Sequence, residues 1–311
     1  MQSPTWQDID ILVVGAGVAG LTAATMAARH GLKVVVVDRM GVGGQISTAE
    51  TIENFPGFPQ GIGGHELGPL LHEQAETAGA KFLLDTVEAI EPGRERHQVR
   101  AATQAWQARA VIVAAGSSHR TLGIPGEAQF LGKGVSHCAS CDGPFFAGQA
   151  VAIIGGGDTA LDEALVLAAH ASHVTLIHRG SRLRAQHVLG ERAKANAKIA
   201  LMVNTFVEEI LGGKSVTGAK LRDVPSGATR ELPVRGVFVS VGLEPNTGFL
   251  RGVVALDTAG HIETDTMMQT SCPGVFAAGD IRKGSVALLA ACAGDGTTAA
   301  IAAVHYLAMR T

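Results

Sequence analysis

Aromatic residues and cysteines are scarce in this chain, and long apolar runs are absent from it. Only 4% of its 311 residues are aromatic, and four are cysteine. Cys272 and Cys292 stand alone, which argues against a secreted domain held together by disulfides. No stretch approaches the roughly 20 apolar residues that cross a membrane, and residues 1–17 lack the basic start and apolar run of a signal peptide. We therefore expect a cytoplasmic protein without a membrane segment.

An excess of positive charge is also lacking. The formal net charge is −3, and no run of lysine or arginine occurs. Proteins that bind nucleic acid generally use a basic surface to neutralise phosphates. We expect no nucleic acid partner.

Small and apolar residues are abundant instead. Hydrophobic residues make up 46% of the chain and charged residues 17%, and there are 40 glycines. This composition is typical of a folded protein with a large core and many tight turns. The length allows two domains of ordinary size.

One pattern occurs twice, in residues 9–39 and 149–179. Each copy has an apolar strand, a glycine-rich turn, a helix rich in alanine and leucine, and a second β-branched strand. The small residues of the two turns, G-x-G-x-x-G and G-x-G-x-x-A, are Gly15, Gly17 and Gly20, then Gly155, Gly157 and Ala160. In this context the motif predicts a dinucleotide site, because the glycines allow a tight turn and a close approach to pyrophosphate at a helix N-terminus. We expect two such sites.

The ends of the second strands distinguish the two ligands. Asp38 can accept hydrogen bonds from a ribose 2′-hydroxyl, as in a site for FAD or NAD. The second copy ends in His178 and Arg179, followed by Arg182 and Arg184. Cations without an acid suit a 2′-phosphate and favour NADP, with a solvated basic turn as the alternative.

Cys138 and Cys141 form a C-x-x-C pair. Zinc would need two further ligands at suitable spacing, and Cys272 and Cys292 do not form a second pair. A structural disulfide across so short a loop would add little stability and is out of place in the cytosol. The sequence therefore favours a redox disulfide.

Taken in order, these motifs resemble the low-molecular-weight, bacterial-type thioredoxin reductases over nearly the whole chain. The matching stretches are GAGVAG (15–20), GGQ (43–45), ENFPGFP (53–59), CASCDGPFF (138–146), GGGDTALDEAL (155–165), VTLIHR (174–179), VGLEPNT (241–247) and GVFAAGD (274–280). The resemblance implies an α/β fold with two doubly wound, Rossmann-like domains. It also implies that residues 1–117 and 244–311 form a discontinuous FAD domain, into which an NAD(P)H domain, residues 118–243, is inserted.

The resemblance also implies the cofactor contacts. The residues expected at FAD are Gly15, Gly17, Ala19, Gly20, Asp38, Arg39, Gly43, Gly44, Gln45, Asn54, Val87, Ala115, Gly116, Gly279, Asp280, Ala287 and Leu288. Those expected at NADPH are Gly155, Gly157, Asp158, Thr159, His178, Arg179 and Arg184. Asp162 and Glu163 are expected on a solvated helix face, without a role.

At the C-x-x-C the resemblance implies that Cys141 faces the flavin and that Cys138 is the interchange thiol. Asp142 would be the acid/base that moves the thiol proton, the alternative being a simple turn residue. Since the nucleotide site and the cysteines lie on one inserted segment and both must reach one flavin, we expect that segment to rotate.

Two positions depart from the family pattern. Gly180 replaces the second arginine of H-R-R-x-x-x-R, and Ala287-Leu288 replace an Arg-Gln pair near the flavin. The expected function is transfer of electrons from NADPH through FAD and Cys138–Cys141 to the disulfide of thioredoxin or a thioredoxin-like protein, in a homodimer. The departures support one alternative, a related flavoenzyme with another electron partner (NADH, ferredoxin, or oxygen as a dithiol oxidase). A flavin-binding redox sensor or partner with a vestigial nucleotide fold is a further alternative, against which the intact C-x-x-C-D and glycine motifs count.

Overall fold

The chain divides into two units in a computed structural model that describes residues 5–310. The first unit contains the chain up to Ser118 and from Glu244 onward, and the second contains His119–Leu243. The chain therefore leaves the first unit once and returns to it once.

The described residues form six α-helices and seventeen strands. The helices are α1 Val18–Arg29, α2 Gly64–Thr77, α3 Ala139–Asp142, α4 Asp158–His170, α5 His187–Ala195 and α6 Leu289–Ala308. The strands are β1 Trp6–Val14, β2 Val34–Asp38, β3 Lys81–Leu84, β4 Val87–Glu91, β5 His97–Ala101, β6 Ala105–Val113, β7 Ser117–His119, β8 Val135–Ser136, β9 Ala150–Gly155, β10 His173–Ile177, β11 Ile199–Met202, β12 Thr205–Gly212, β13 Val216–Asp223, β14 Thr229–Leu232, β15 Gly236–Ser240, β16 Leu243–Pro245 and β17 Val275–Ala277.

The first unit is built on a seven-stranded sheet. Its order is β3-β2-β1-β6-β5-β4, and β17 pairs with β6 beside that path. The strands β3, β2, β1, β6 and β17 pair in parallel, whereas the pairs β6–β5 and β5–β4 are antiparallel. In β1, Ile11 and Val13 pack into one apolar cluster while Leu12 and Val14 pack into another. Side chains that alternate between two buried faces explain why residues 11–14 of β1 and 34–37 of β2 are continuous apolar runs.

Small residues bring α1 and α6 together on one face of this sheet. The Cβ of any larger residue at Gly296 would lie 2.2 Å from the carbonyl oxygen of Ala19. The alanine-rich sequence of both helices therefore serves close packing rather than membrane insertion. No helix within residues 5–310 has the length and apolar character needed to span a bilayer.

The second unit has a five-stranded parallel sheet in the order β11-β10-β9-β15-β8. A three-stranded antiparallel sheet, β12-β13-β14, belongs to the same unit. The helix α4 connects β9 to its parallel neighbour β10, which is the βαβ unit that the repeat predicts. The expected α/β class is confirmed.

Candidate active site

The first glycine-rich turn has the three-glycine geometry that a dinucleotide needs. Gly15 has φ +108°, and a Cβ there would lie 2.3 Å from the carbonyl oxygen of Ala114. A Cβ at Gly20 would lie 1.9 Å from the oxygen of Gly15, so this position needs glycine for packing. A Cβ at Gly17 would meet nothing within 4 Å. The turn is therefore closed on the protein side and open at Gly17, where a pyrophosphate fits.

The Asp38 carboxylate fixes the same turn from the end of β2. It accepts hydrogen bonds from the backbone N–H of Ala16 at 2.7 Å, of Met40 at 2.7 Å and of Gly41 at 2.9 Å. A carboxylate has about four lone-pair positions, so Asp38 keeps capacity for a ribose hydroxyl.

A second turn lies against the first. Gly43 N–H donates to the Ala16 carbonyl at 2.9 Å, and a Cβ at Gly44 would lie 3.2 Å from Cα of Gly17. Gln45 donates from Nε2 to the Ser117 carbonyl at 2.7 Å. The GGQ segment therefore borders the open space at Gly17.

The third part of the predicted FAD site follows β17. Gly279 has φ +79°, and its N–H donates to the buried Asp295 carboxylate at 3.1 Å. The next residue, Asp280, accepts at Oδ1 from Ser285 Oγ at 3.1 Å and from Cys292 Sγ at 3.2 Å. Burial, reinforced by Asp280, raises the pKa of the Cys292 thiol, so this cysteine stays protonated.

The remaining predicted FAD residues occupy varied environments in the first unit. Ala19 and Val87 are buried, whereas Arg39 and Asn54 are exposed. Asn246 binds the segment after β6, donating to the Ala115 carbonyl from Nδ2 and to the Gly116 carbonyl from its backbone. Ala287 has φ +52°, and Leu288, which precedes α6, is 44% exposed.

The second glycine-rich turn repeats the arrangement of the first. A Cβ at Gly155 would lie 2.4 Å from the Ser240 carbonyl oxygen and 2.5 Å from Cβ of Ala160. A Cβ at Gly157 would meet nothing within 4 Å, and Gly157 precedes the first turn of α4. This turn too is open where a pyrophosphate fits.

His178 is a buried wedge behind that turn. A Cβ at Gly156 would lie 2.2 Å from His178 Nδ1, and one at Gly180 would lie 2.9 Å from Nε2. Nε2 donates to the Arg182 carbonyl at 3.0 Å. The ring therefore links the glycine turn to the loop that carries the cations.

The cations of that loop are exposed. Arg179, Arg182 and Arg184 are all at the surface, and Arg184 N–H donates to the Gly156 carbonyl at 2.7 Å. Asp158 accepts from Gln186 N and Nε2 at 2.7 and 2.6 Å, which closes the far side of the loop. Thr159 is exposed at the start of α4.

Cys138 and Cys141 form a disulfide in the second unit, with 5.3 Å between their Cα atoms. Cys138 caps the short helix α3, where its Sγ accepts from Cys141 N–H at 3.1 Å. Cys141 is the more exposed of the two, and Asp142 ends the helix. Within residues 5–310 no group of three or more His, Cys, Asp or Glu side chains is placed to hold a metal ion.

Glu163 corrects the expectation of a solvated helix face. Asp162 is exposed, but Glu163 on α4 is half-buried, with its Oε2 atom shielded from solvent, where α4 packs against the short helix α3 of the C-x-x-C turn. Burial raises the pKa of its carboxyl to about 7; the Ala139 N–H and the Ser240 hydroxyl act in the opposite direction. In the sequence, nothing but its position on the helix, one residue after Asp162, distinguishes Glu163 from an exposed acid.

A surface groove of about 850 Å³ in the second unit reaches Asp142, the residue that follows Cys141. Asp142, Phe145 and Phe146 line it, together with Lys133 and Arg235. Phe145 is 77% exposed, so the groove presents an aromatic side chain to solvent close to two cations.

Comparison with known proteins agrees with this geometry. The family model described as pyridine nucleotide-disulphide oxidoreductase matches residues 9–296. A thioredoxin reductase of Treponema pallidum is 43% identical over 300 residues, which is 96% of this chain and 97% of that protein. A bifunctional thioredoxin reductase/thioredoxin of Mycobacterium leprae is 43% identical over 96% of this chain and 66% of its own length.

The fold comparison gives the same result. The crystal structure of Lactococcus lactis thioredoxin reductase matches with a TM-score of 0.95 and 36% identity, covering 97% of this chain and 99% of that one. The two Rossmann-like folds that the sequence predicts are therefore confirmed.

Proposed function

We propose, since the chain belongs to the pyridine nucleotide-disulphide oxidoreductase family, that it is a flavoprotein that reduces the disulfide of thioredoxin with electrons from NADPH. The observation that carries the proposal is the Cys138–Cys141 disulfide at the surface of a unit that also holds an open dinucleotide turn. The M. leprae relative, named as a reductase and a thioredoxin in one chain, supports thioredoxin as the partner.

The two cofactors are assigned to the two open turns. FAD is held in the discontinuous first unit, at Gly17, the Gly43–Gln45 segment and Asp280. NADPH is held in the inserted unit, at Gly157 and the exposed arginines after β10, which suit a 2′-phosphate. When bound, these groups supply the two electrons that open the Cys138–Cys141 disulfide.

The cysteines then carry the exchange. In the dithiol, the thiolate of Cys138 attacks one sulfur of the thioredoxin disulfide, and the other sulfur leaves as a thiolate. Cys141 attacks Cys138 in the mixed disulfide, which restores Cys138–Cys141 and releases thioredoxin as a dithiol. Each cycle oxidises one dithiol and reduces one disulfide, so atoms and electrons balance.

Asp142 is the group assigned to proton movement. It directly follows Cys141, ends α3 and lines the groove in which a protein disulfide would approach. A carboxylate there can accept the proton of a thiol as it ionises and return it to the leaving thiolate.

The partner, compartment and assembly complete the proposal. Thioredoxin binds at the groove, the protein acts in the cytoplasm, and two copies of the chain form a homodimer.

An anaerobic spectral titration of the purified protein tests this function. NADPH should bleach the flavin absorbance band, and oxidised thioredoxin should restore it. Cys138→Ser and Cys141→Ser should both abolish thioredoxin reduction while leaving bleaching by NADPH. A flavin that remains oxidised under NADPH would overturn the assignment of the reductant; full thioredoxin turnover by either variant would overturn the role of the disulfide.

A further inference from the structure

Helix α4 places a buried carboxylate behind the redox disulfide. The helices α3 and α4 pack together, and Glu163 lies where α4 meets the C-x-x-C turn. Its neighbours there are the N–H of Ala139, which stands between the two cysteines and is 1% exposed, and the hydroxyl of Ser240 at the end of β15. Oε2 of Glu163 is buried without a hydrogen-bond partner in the described part of the chain.

A carboxylate in this environment acts strongly on its surroundings. Its charge is poorly screened because burial removes water and lowers the effective dielectric constant around it. The reduced pair of cysteines carries charge of the same sign whenever a thiolate forms. A negative charge behind the turn therefore favours the thiol over the thiolate.

We propose that Glu163 is a positioning residue of the dithiol: it holds the Ala139 segment of the turn, and its charge lowers the thiolate fraction of the reduced Cys138/Cys141 pair. Reduction of the disulfide takes up two electrons and two protons to give two thiols, and loss of one proton gives the thiolate that attacks. Glu163 thereby sets how strongly pH biases the dithiol–disulfide equilibrium. This inference rests on the proposed exchange chemistry of Cys138–Cys141.

Several other titratable or charged groups lie on α4 and on the elements packed against it. Asp162, its neighbour on α4, adds to the rise in the pKa of Glu163. The elements that pack against α4 are α3, α5, β9, β10, β11 and the Gly143–Phe146 turn. Titratable or charged side chains on those elements and on α4 itself are Asp142, His173, His187, Glu191, Arg192, Lys194, Asp158 and His170. None of these belongs to β9, β11 or the Gly143–Phe146 turn.

The test uses Glu163→Gln in the full flavin-loaded chain, with Glu231→Gln on the exposed strand β14 as the matched loss of a carboxylate. Each protein is equilibrated with glutathione redox buffers between pH 6 and 8.5, and the fraction of oxidised Cys138–Cys141 is read by thiol labelling and mass spectrometry. At pH 8 we expect Glu163→Gln to favour the dithiol by about tenfold, which corresponds to about 30 mV. At pH 6, where Glu163 is largely protonated, the variants should agree.

A second variant keeps the inference testable if Glu163→Gln does not fold. Ser240→Ala removes a group that lowers the pKa of Glu163, so more of the carboxyl is protonated at pH 7. This variant should fall between the wild type and Glu163→Gln at pH 7, and the rate at which iodoacetamide alkylates Cys138 should rise in the same order.

A constant difference between Glu163→Gln and wild type at every pH would indicate a purely structural effect and overturn the inference. Equal behaviour of Glu163→Gln and Glu231→Gln would overturn it as well. Neither nucleotide nor thioredoxin enters this measurement, so such a failure would leave the proposed function standing. Failure of the proposed function would instead show as unreduced flavin in the titration above.

Discussion

Two glycines of the first turn should respond to the same substitution in opposite ways. Gly17→Ala adds a methyl group to open space, since its Cβ would meet nothing within 4 Å. Gly20→Ala places the same methyl 1.9 Å from the backbone oxygen of Gly15. The first change occupies the position assigned to the pyrophosphate, and the second forces helix and turn apart.

The magnitudes follow from these distances. Gly17 has extended backbone at the N-cap of α1, so alanine there changes the stability of the apoprotein by less than about 1 kcal/mol. Losing one close backbone approach to a phosphate should cost about 1.4–2.8 kcal/mol of FAD binding, or about a 10- to 100-fold rise in Kd. For Gly20→Ala, an overlap that backbone must relieve costs about 1–3 kcal/mol of folding free energy and several degrees in Tm.

Two measurements separate these effects. The Tm of the apoprotein is read by circular dichroism, and the Kd for FAD by quenching of flavin fluorescence. Gly17→Ala should retain the wild-type Tm with weakened FAD binding, and Gly20→Ala should lower the Tm. If Gly17→Ala binds FAD as tightly as the wild type, the pyrophosphate does not lie at the open space beside Gly17.

Two further predictions concern the groove and the response to pH. Phe145→Ala should raise KM for thioredoxin about tenfold or more and leave KM for NADPH unchanged, because it removes an exposed apolar anchor; steady-state kinetics would contradict this if both constants moved together. Burial, followed by the charge of Arg310, lowers the pKa of His97. Below about pH 6.5 the unfolded chain therefore takes up a proton that His97 in the folded chain does not bind. The free energy of unfolding should therefore fall with decreasing pH below that value, by at most about 1.4 kcal/mol per pH unit from this residue. Denaturant titrations at pH 7 and 5 should show a smaller fall in this free energy for His97→Gln than for the wild type. Equal falls in the two proteins would refute the assignment.

The sequence predicted the parts of the fold whose signal is local. Residues 9–39 and 149–179 each predict a βαβ unit, because an apolar strand, a glycine turn and a helix of small residues must occur together for the unit to pack. The same residues also indicate where β9 and α4 approach each other closely. Gly155 and Ala160 are small because strand and helix are in contact there.

Other features depend on tertiary neighbours and have no local signal. The residues Asp162 and Glu163 look alike as adjacent acids on a helix, yet Asp162 is exposed and Glu163 is half-buried with its Oε2 atom shielded from solvent. The difference arises because α3, which is distant from Glu163 in sequence, packs over one side of α4. The role assigned to Glu163 therefore required the structure, as did the engagement of Asp38 by three backbone N–H groups.

Gly180 shows how such a neighbour changes the meaning of a motif. Counting charges treats this glycine as a lost contact to the 2′-phosphate. In the structure its missing Cβ makes room for the ring of His178, and that ring holds the Arg182 carbonyl at 3.0 Å. An arginine at position 180 would place its Cβ 2.9 Å from Nε2 and displace the ring, so the loop that carries Arg182 would lose its anchor.

Restoring the family residue should therefore weaken NADPH binding. We expect Gly180→Arg to raise KM for NADPH severalfold despite its added cation, and Arg182→Gln to raise KM for NADPH with little effect on KM for NADH. Gly180→Ser adds the same Cβ without the cation, so it is the matched control for the steric part and should raise KM for NADPH by at least as much. If Gly180→Arg instead lowers KM for NADPH, the effect of the added charge is larger than the effect of displacing the His178 ring. The ring then does not determine the conformation of this loop.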